Sequence, residues 1–360
     1  MKRKKLFAFS LLVGAVLALF AIAYAQAPPT PSYQLLATIQ VPGGGLCTGC
    51  TGGSDIAWVD PGSQRLYVTD RTTTRGGGKL DVIDTYSNTY LYSIPTTAAE
   101  IGFAGLNNGG PKNNGGPNGV LVIPQTNQAY VSDGDATVKV VDLAAKAVVA
   151  IIPTGGKYRA DEMAYDPIDH VFMVANPNDD PPLVTFINTD SQTVVGQYTY
   201  PSSQSAQHGA GLEQPWFDSF TGKFYIANPA NPALNNTGTI DVFNPTTFLL
   251  EKTYSTPMGG NGLVVTPNHK GFTSMGVVLD MLSGNIITTI PGVSSDQIWY
   301  NAGDNRVYFG SDGAVVDADT NKSLGLLPVK GSPHNVAVDP NNNHSFFVTT
   351  GVGIQVIAAQ

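Results

Sequence analysis

The chain has 360 residues, with 27 Asp and Glu against 19 Lys and Arg, and it is rich in Gly (40) and Pro (25). The acidic balance, with no Lys/Arg run beyond residue 5, argues against a nucleic-acid partner. Abundant turn residues and the lack of any sustained 3.6-residue periodicity argue against a helical protein and for an all-β one.

Lys2, Arg3, Lys4 and Lys5 form a basic start, Leu6 to Ala25 is uncharged and mostly apolar, and the stretch closes on Ala23-Tyr24-Ala25. Residues 1–25 therefore read as a secretory signal peptide and residues 26–32 as a Pro-rich spacer, which makes the expected location periplasmic or secreted. An uncleaved anchor is the alternative, since twenty residues can span a bilayer. No second long apolar run follows, so no membrane insertion is expected after cleavage. Cleavage would leave 15 basic residues against 27 acidic ones, a formal charge of −12.

Residues 33–360 read as one repetitive domain. After the strand-like segment Tyr33–Val41, a four-part unit begins near Asp55 and returns near Asn118, Asp161, Glu213, Asn261, Asp296 and His334, about 46 residues apart. Each unit holds four short β-rich runs between turn residues, the size of a four-stranded propeller blade. Twelve residues after the head residue stands Tyr67, Tyr130, Met173, Tyr225 or Tyr308; Phe272 comes one residue early and Phe347 one late. The last unit stops after three strands, at Gly353–Ala358. The only unassigned strand-like segment is Tyr33–Val41, so the expected fold is a seven-bladed β-propeller whose last blade is closed by the N-terminal strand. Closure removes the exposed strand edges that an open array would leave.

Tyr67-Val-Thr-Asp70, Tyr130-Val-Ser-Asp133, Met173-Val-Ala-Asn176 and Tyr225-Ile-Ala-Asn228 resemble the motif of the YVTN-repeat propeller family. The flanking Asp60-Pro61, Asp166-Pro167 and Asp339-Pro340 turns and the Val-Ile-Asp third strands match it as well. The resemblance covers Tyr33 to Ala358 and departs most at Phe272-Thr-Ser-Met275 and Tyr308-Phe-Gly-Ser311. It implies the fold. It leaves function open, because the family includes cytochrome- and quinoprotein-like modules, lactonase-like enzymes and binding proteins.

Connectivity places the turns between strands 1–2 and 3–4 on one face, the bottom, where they are short and uniform. The other face, the top, receives long, individual loops such as Gly43–Ser54, Thr96–Pro117 and Ser202–Gly211. Irregular loops gathered on one face of a rigid scaffold are where binding residues concentrate. The head residues Asp55, Asn118, Asp161, Glu213, Asn261, Asp296 and His334 fall at the top of each innermost strand. Glu162, Gln214, Gln297 and Asn335 stand next to them, and His208 precedes Glu213.

Four acids about 10 Å apart repel by roughly 1–2 kcal/mol per pair, so something must offset them: a cation, raised carboxylate pKa values or a hydrated mouth. Asp55, Asp161, Glu213, Asp296 and His334 carry the donors for Ca²⁺, Zn²⁺ or Mn²⁺. Two functions remain open. One is a binding module that takes a small molecule or protein at the top face; the other is a lactonase-like, metal-dependent hydrolase. A merely solvated ring is the bland counterpart of both.

Cys47-Thr-Gly-Cys50 is the only cysteine pair and, in an exported chain, reads first as a disulfide, with a redox role or free thiols as alternatives. Trp58, Trp216 and Trp299 each follow a head residue by three, which points to packing between blades. His170, His269 and His344 are expected in solvated bottom turns.

Overall fold

A computed structural model of the chain describes residues 32–72, 77–105, 115–201 and 211–360. Residues 1–25, expected to be a signal peptide, and nearly all of the expected spacer lie outside the described residues, as does His208. Among the described residues, no helix is long and apolar enough to cross a membrane.

The strands assort into seven four-stranded antiparallel sheets. Blade 1 is built from Ala57–Asp60, Arg65–Asp70, Lys79–Asp84 and Thr89–Ile94, and blade 2 from Val120–Ile123, Gln128–Ser132, Thr137–Asp142 and Ala147–Pro153. Blade 3 runs from Met163 to Thr199, blade 4 from Pro215 to Thr256, blade 5 from Leu263 to Thr289 and blade 6 from Ile298 to Leu326. Blade 7 contains Asn335–Asp339, His344–Thr349 and Gly353–Ala359. Its outermost strand is Tyr33–Ile39, paired antiparallel with Gly353–Ala359 from Tyr33↔Ala359 to Ile39↔Ile354. The ring is therefore the expected seven-bladed propeller with an N-terminal closing strand.

Two local features repeat with the blades. In every blade the outermost strand carries one extra residue against its neighbour, a β-bulge, as between Val82 and Ile83 in blade 1 and between Val140 and Val141 in blade 2. The closing strand has the same bulge, between Leu35 and Ala37. It thus reproduces a fourth strand down to its irregularity, which bends the strand and increases its twist.

The bottom turns each hold one residue in the left-handed region: Gln64 and Asn88, Asn127 and Lys146, His170 and Gln192, Gly222 and Phe248, His269 and Gly284, Asn305 and Asn321, and Asn343. Asn, His and Gly accept this conformation more readily than other residues. Two of the bottom histidines therefore have a backbone reason to be there. The expected solvation holds for His170, whose side chain is 47% exposed, but not for His269 and His344, which are partly buried. His170 pairs with Asp190 at 2.8 Å, His269 stacks on Phe220 with ring centroids 3.9 Å apart, and His344 is half-buried against Asn88.

The core is a set of seven wedges, one between each pair of adjacent blades. Tyr67, Tyr130, Met173, Tyr225, Phe272 and Tyr308 are buried and face the next blade. In blade 7 this place belongs to Phe346, not Phe347. Phe346 pairs with Ala337 and packs toward blade 1, whereas Phe347 packs back toward blade 6. A one-residue slip along a strand reverses the side chain's face, so the repeat is more regular than the spacing suggested.

Candidate functional site

The inner strands stack three layers of side chains around the central channel. The head residues form the uppermost. One residue further along come Ile56, Gly119, Glu162, Gln214, Gly262, Gln297 and Asn335. Two beyond these come Trp58, Leu121, Ala164, Trp216, Val264, Trp299 and Ala337. Three tryptophans from non-adjacent blades share one channel because the intervening blades supply smaller residues. Trp58 and Trp299 meet edge to face across Ala337 of blade 7, with centroids 5.4 Å apart. Each tryptophan also packs against two interblade clusters, so the blade-packing expectation holds for part of each ring. A cavity of about 190 Å³ is lined by Trp58, Met163, Tyr165 and Trp216, and one of about 570 Å³ is bordered by Trp216, Phe220 and Tyr300.

The middle layer spans the channel. Gln297 of blade 6 donates from Nε2 to Glu162 Oε1 of blade 3. Gln214 of blade 4 donates to the Ile298 carbonyl of blade 6 at 3.0 Å. Blade 5 has Gly262 between them, and a Cβ there would stand 3.1 Å from Gln214 Oε1, so glycine leaves the path clear.

The upper layer is a charged network that the sequence only half disclosed. Asp55 is its hub, receiving Arg71 Nη2, Arg159 Nη1 at 3.1 Å and His334 Nε2 at 2.8 Å. Arg71 Nε also donates to Asn118 Oδ1 at 2.9 Å, and Arg159 Nη2 pairs with Asp161 Oδ2 at 2.6 Å. His334 Nε2 lies 3.1 Å from Asp296 Oδ2, and Asn261 Nδ2 donates to Asp296 Oδ1 at 2.7 Å. Asn335 sits just beneath, donating to the Asp55 carbonyl at 2.6 Å. The chain of contacts thus links blades 5, 6, 7, 1, 2 and 3. Glu213 of blade 4 is the head residue outside it, with no side-chain hydrogen bond among the described residues, although Asp161, Arg159 and Asp296 act on it electrostatically.

Arg71 and Arg159 are what sequence reasoning missed. Arg71 follows the second strand of blade 1, and Arg159 lies in the connection from blade 2 to blade 3, so neither belongs to a repeating column. Both are positioned by the repeat nonetheless. Asn176, the last residue of a Tyr-Val-Thr-Asn-like motif, donates from Nδ2 to the Tyr158 and Arg159 carbonyls at 3.0 and 3.2 Å. The equivalent Asp70 accepts from Gly45 N at 2.7 Å and Thr72 N at 2.9 Å, and Asp133 accepts from Ala104 N at 3.0 Å. The fourth motif residue ties down the top loops. One of those loops contains Cys47 and Cys50, joined as a disulfide with Cα atoms 5.2 Å apart.

The electrostatics divide the mouth. Burial pushes the Asp55 carboxyl up, but Arg71, the His334 hydrogen bond and Arg159 outweigh it and hold the group well below the usual carboxylate range. Burial, countered by Arg159 and reinforced by Asp55, takes Asp161 up to about 7. Burial and neighbouring carboxylates raise Glu162 and Glu213 well above the ordinary glutamate value. Burial opposes charge on His334 too, but the hydrogen bond to Asp55 and the charges of Asp55 and Asp296 raise it overall. The side of blades 1 and 2 is therefore compensated by guanidinium groups, and the side of blades 3 and 4 carries excess acid. Among the described residues, no three His, Cys, Asp or Glu side chains converge as a metal-holding group.

No family model matches the chain, and a search of curated proteins finds no match either.

Proposed function

We propose that the protein is an exported binding module of YVTN-repeat type, which takes a small molecule or a partner's side chain at the charged mouth on its top face. The observation that carries this reading is the acid–arginine ring at the channel mouth, set above a layer that holds three tryptophans. His334 and Asp296, with side chains 42% and 26% exposed, are open to solvent there. The motif residues Asp70, Asp133 and Asn176 support the same face, because they use their side chains to hold the top loops over the ring. The N-terminal leader pattern supports export.

The test is a thermal-shift screen of the purified protein against a small-molecule library, with hits re-measured by calorimetry on Asp296→Asn. Hits should weaken about tenfold in the variant, the scale of one charge-assisted hydrogen bond. Hits that bind the variant as well as the parent would place the site elsewhere.

The excess acid around Glu162 and Glu213 favours one second reading, a hydrolase dependent on Ca²⁺, Zn²⁺ or Mn²⁺. The ion would be held by some of Asp55, Asp161, Glu213, Asp296 and His334 and would polarise a substrate carbonyl. Asp55, Asp161 and His334 are already bound to arginines or carboxylates, so they would have to exchange those partners. Metal analysis of the purified protein beside an Asp161→Ala/Glu213→Ala variant decides it: absence of stoichiometric metal, with no thermal response to the three ions, removes this reading.

A further inference from the structure

We infer that the group received at the mouth is an organic cation, an amino or guanidino group of a small molecule or side chain, held on the side of blades 3 and 4 by Glu213, Asp161 and Glu162. This rests on the mouth being the binding surface. It is argued from which hydrogen-bonding valences the ring leaves over.

All but one of the donors are committed. Arg71 is shared between Asp55 and Asn118, and Arg159 between Asp55 and Asp161, with Arg159 Nε left without a partner among the described residues. Nδ2 of Asn261 and of Asn118 are bonded to Asp296 and to the Ala160 carbonyl. The rest of the surplus consists of acceptors. Asp161 Oδ1, on a side chain 2% exposed, has no partner among the described residues. Gln297 Oε1, on a residue 3% exposed, has none either, although its amide nitrogen is bonded to Glu162. Buried acceptors without donors are costly, so a group bringing several N–H donors is favoured over one bringing oxygens.

Charge selects in the same direction. Five carboxyl groups face two guanidinium groups and one imidazole here; Glu162 and Glu213 keep their protons until a cation takes their place, whereas Arg71 and Arg159, the natural partners of a carboxylate or phosphate, are engaged by Asp55 and Asp161. An ammonium offers three donors and a guanidinium five. These reach acceptors at about 2.7–3.2 Å and so bridge carboxylates spaced more widely than the roughly 2.3–2.6 Å ligand shell of Ca²⁺ allows. Glu213 is half-buried and outside the hydrogen-bond chain, so it is both reachable and free to turn toward a cation. Protons held by Glu162 and Glu213 would leave as the cation arrives.

The experiment is calorimetric titration and thermal shift of the full protein at matched ionic strength, with 1,4-diaminobutane, arginine amide, calcium chloride and sodium acetate as probes. The two organic cations should bind and raise the melting temperature. Glu213→Gln should weaken them about tenfold, Glu213→Asp less, and Glu251→Gln, on the outer strand of blade 4, not at all. Melting curves of the unliganded variants separate loss of binding from loss of folding. Failure of both cations to bind, or undiminished binding to Glu213→Gln, overturns the inference. Acetate, or a neutral library compound, bound in a manner sensitive to Asp296→Asn would overturn it while leaving the mouth as the binding surface. A response to calcium alone would overturn it in favour of the metal-dependent reading. If nothing among probes or library binds at the mouth, both readings fall together.

Discussion

The two faces of this propeller use the same residue type in opposite ways. On the bottom, carboxylates fold their own turns. Asp60 accepts from Gly62 N and Ser63 N, Asp166 from Ile168 N, and Asp84 from Tyr86 N and Ser87 N. Their partners are two or three residues away, so each turn is self-sufficient, and the bottom can be uniform. On the top, Asp55 finds Arg159 104 residues distant and His334 279 distant. There Asp55 draws Arg159 and His334 from other blades, and although Asp161 pairs with Arg159 two residues before it, the acids become a shared property of the ring. Local satisfaction gives interchangeable scaffold, and non-local satisfaction gives individuality.

Three measurements press on that contrast. The largest effect is expected at the top. Arg159→Met leaves Asp55 and Asp161 short of a buried partner and should destabilise the fold by about 3–5 kcal/mol in denaturant unfolding. A loss near that of a bottom-turn substitution would mean the ring is solvated rather than mutually dependent.

The excess-acid side of the mouth and the bottom turns between third and fourth strands should also titrate with opposite sign. Asp161, at about 7, and Glu162 and Glu213, well above 4.5, hold protons more tightly folded than unfolded. Their stabilisation is complete below about pH 4 and is lost as pH rises through the folded values. His334 follows the same course from a higher start, its contribution present below about 6.5 and lost as pH rises through its raised value. On the bottom, backbone N–H groups lower Asp280, and they lower Asp84 and Asp317 against a burial that works the other way. Those contributions are present above 3.8 and lost as pH falls through the folded values, as is that of Asp55. Stability should therefore peak at about pH 4–5 and decline toward pH 8, and the melting temperature with it, at roughly 1.4 kcal/mol per displaced unit. Glu162→Gln should flatten the decline. A melting temperature that climbs steadily from pH 4 to 8 would contradict the division.

The smallest effect belongs to the bottom. Asp60→Ala loses two backbone hydrogen bonds within one turn and should cost about 1 kcal/mol, with melting of the remainder still cooperative.

The blades, their order and the closing strand were legible in the sequence because they follow from local patterns: alternation, turn residues and a constant spacing from head residue to large apolar residue. The column of seven polar head residues was legible for the same reason. The two arginines that organise it were not, since irregular loops have no period and their partners lie in other blades. One signal was available. Beyond residue 32 the chain has only five arginines, and a ring of buried acids demands cations. The tryptophan layer was also within reach, as the same column reads Trp58, Leu121, Ala164, Trp216, Val264, Trp299 and Ala337, large residues relieved by smaller ones. Phe346 was misassigned because counting along the chain ignores which face a residue takes, and pairing does not.

The tryptophan layer has an optical consequence. The chain contains three tryptophans, and all three stand in one layer around the channel, two of them in edge-to-face contact. Emission excited selectively from indole therefore originates in that layer and not from the 15 tyrosines. It amounts to a label already installed, and it watches the channel beneath the mouth while leaving the loops unobserved.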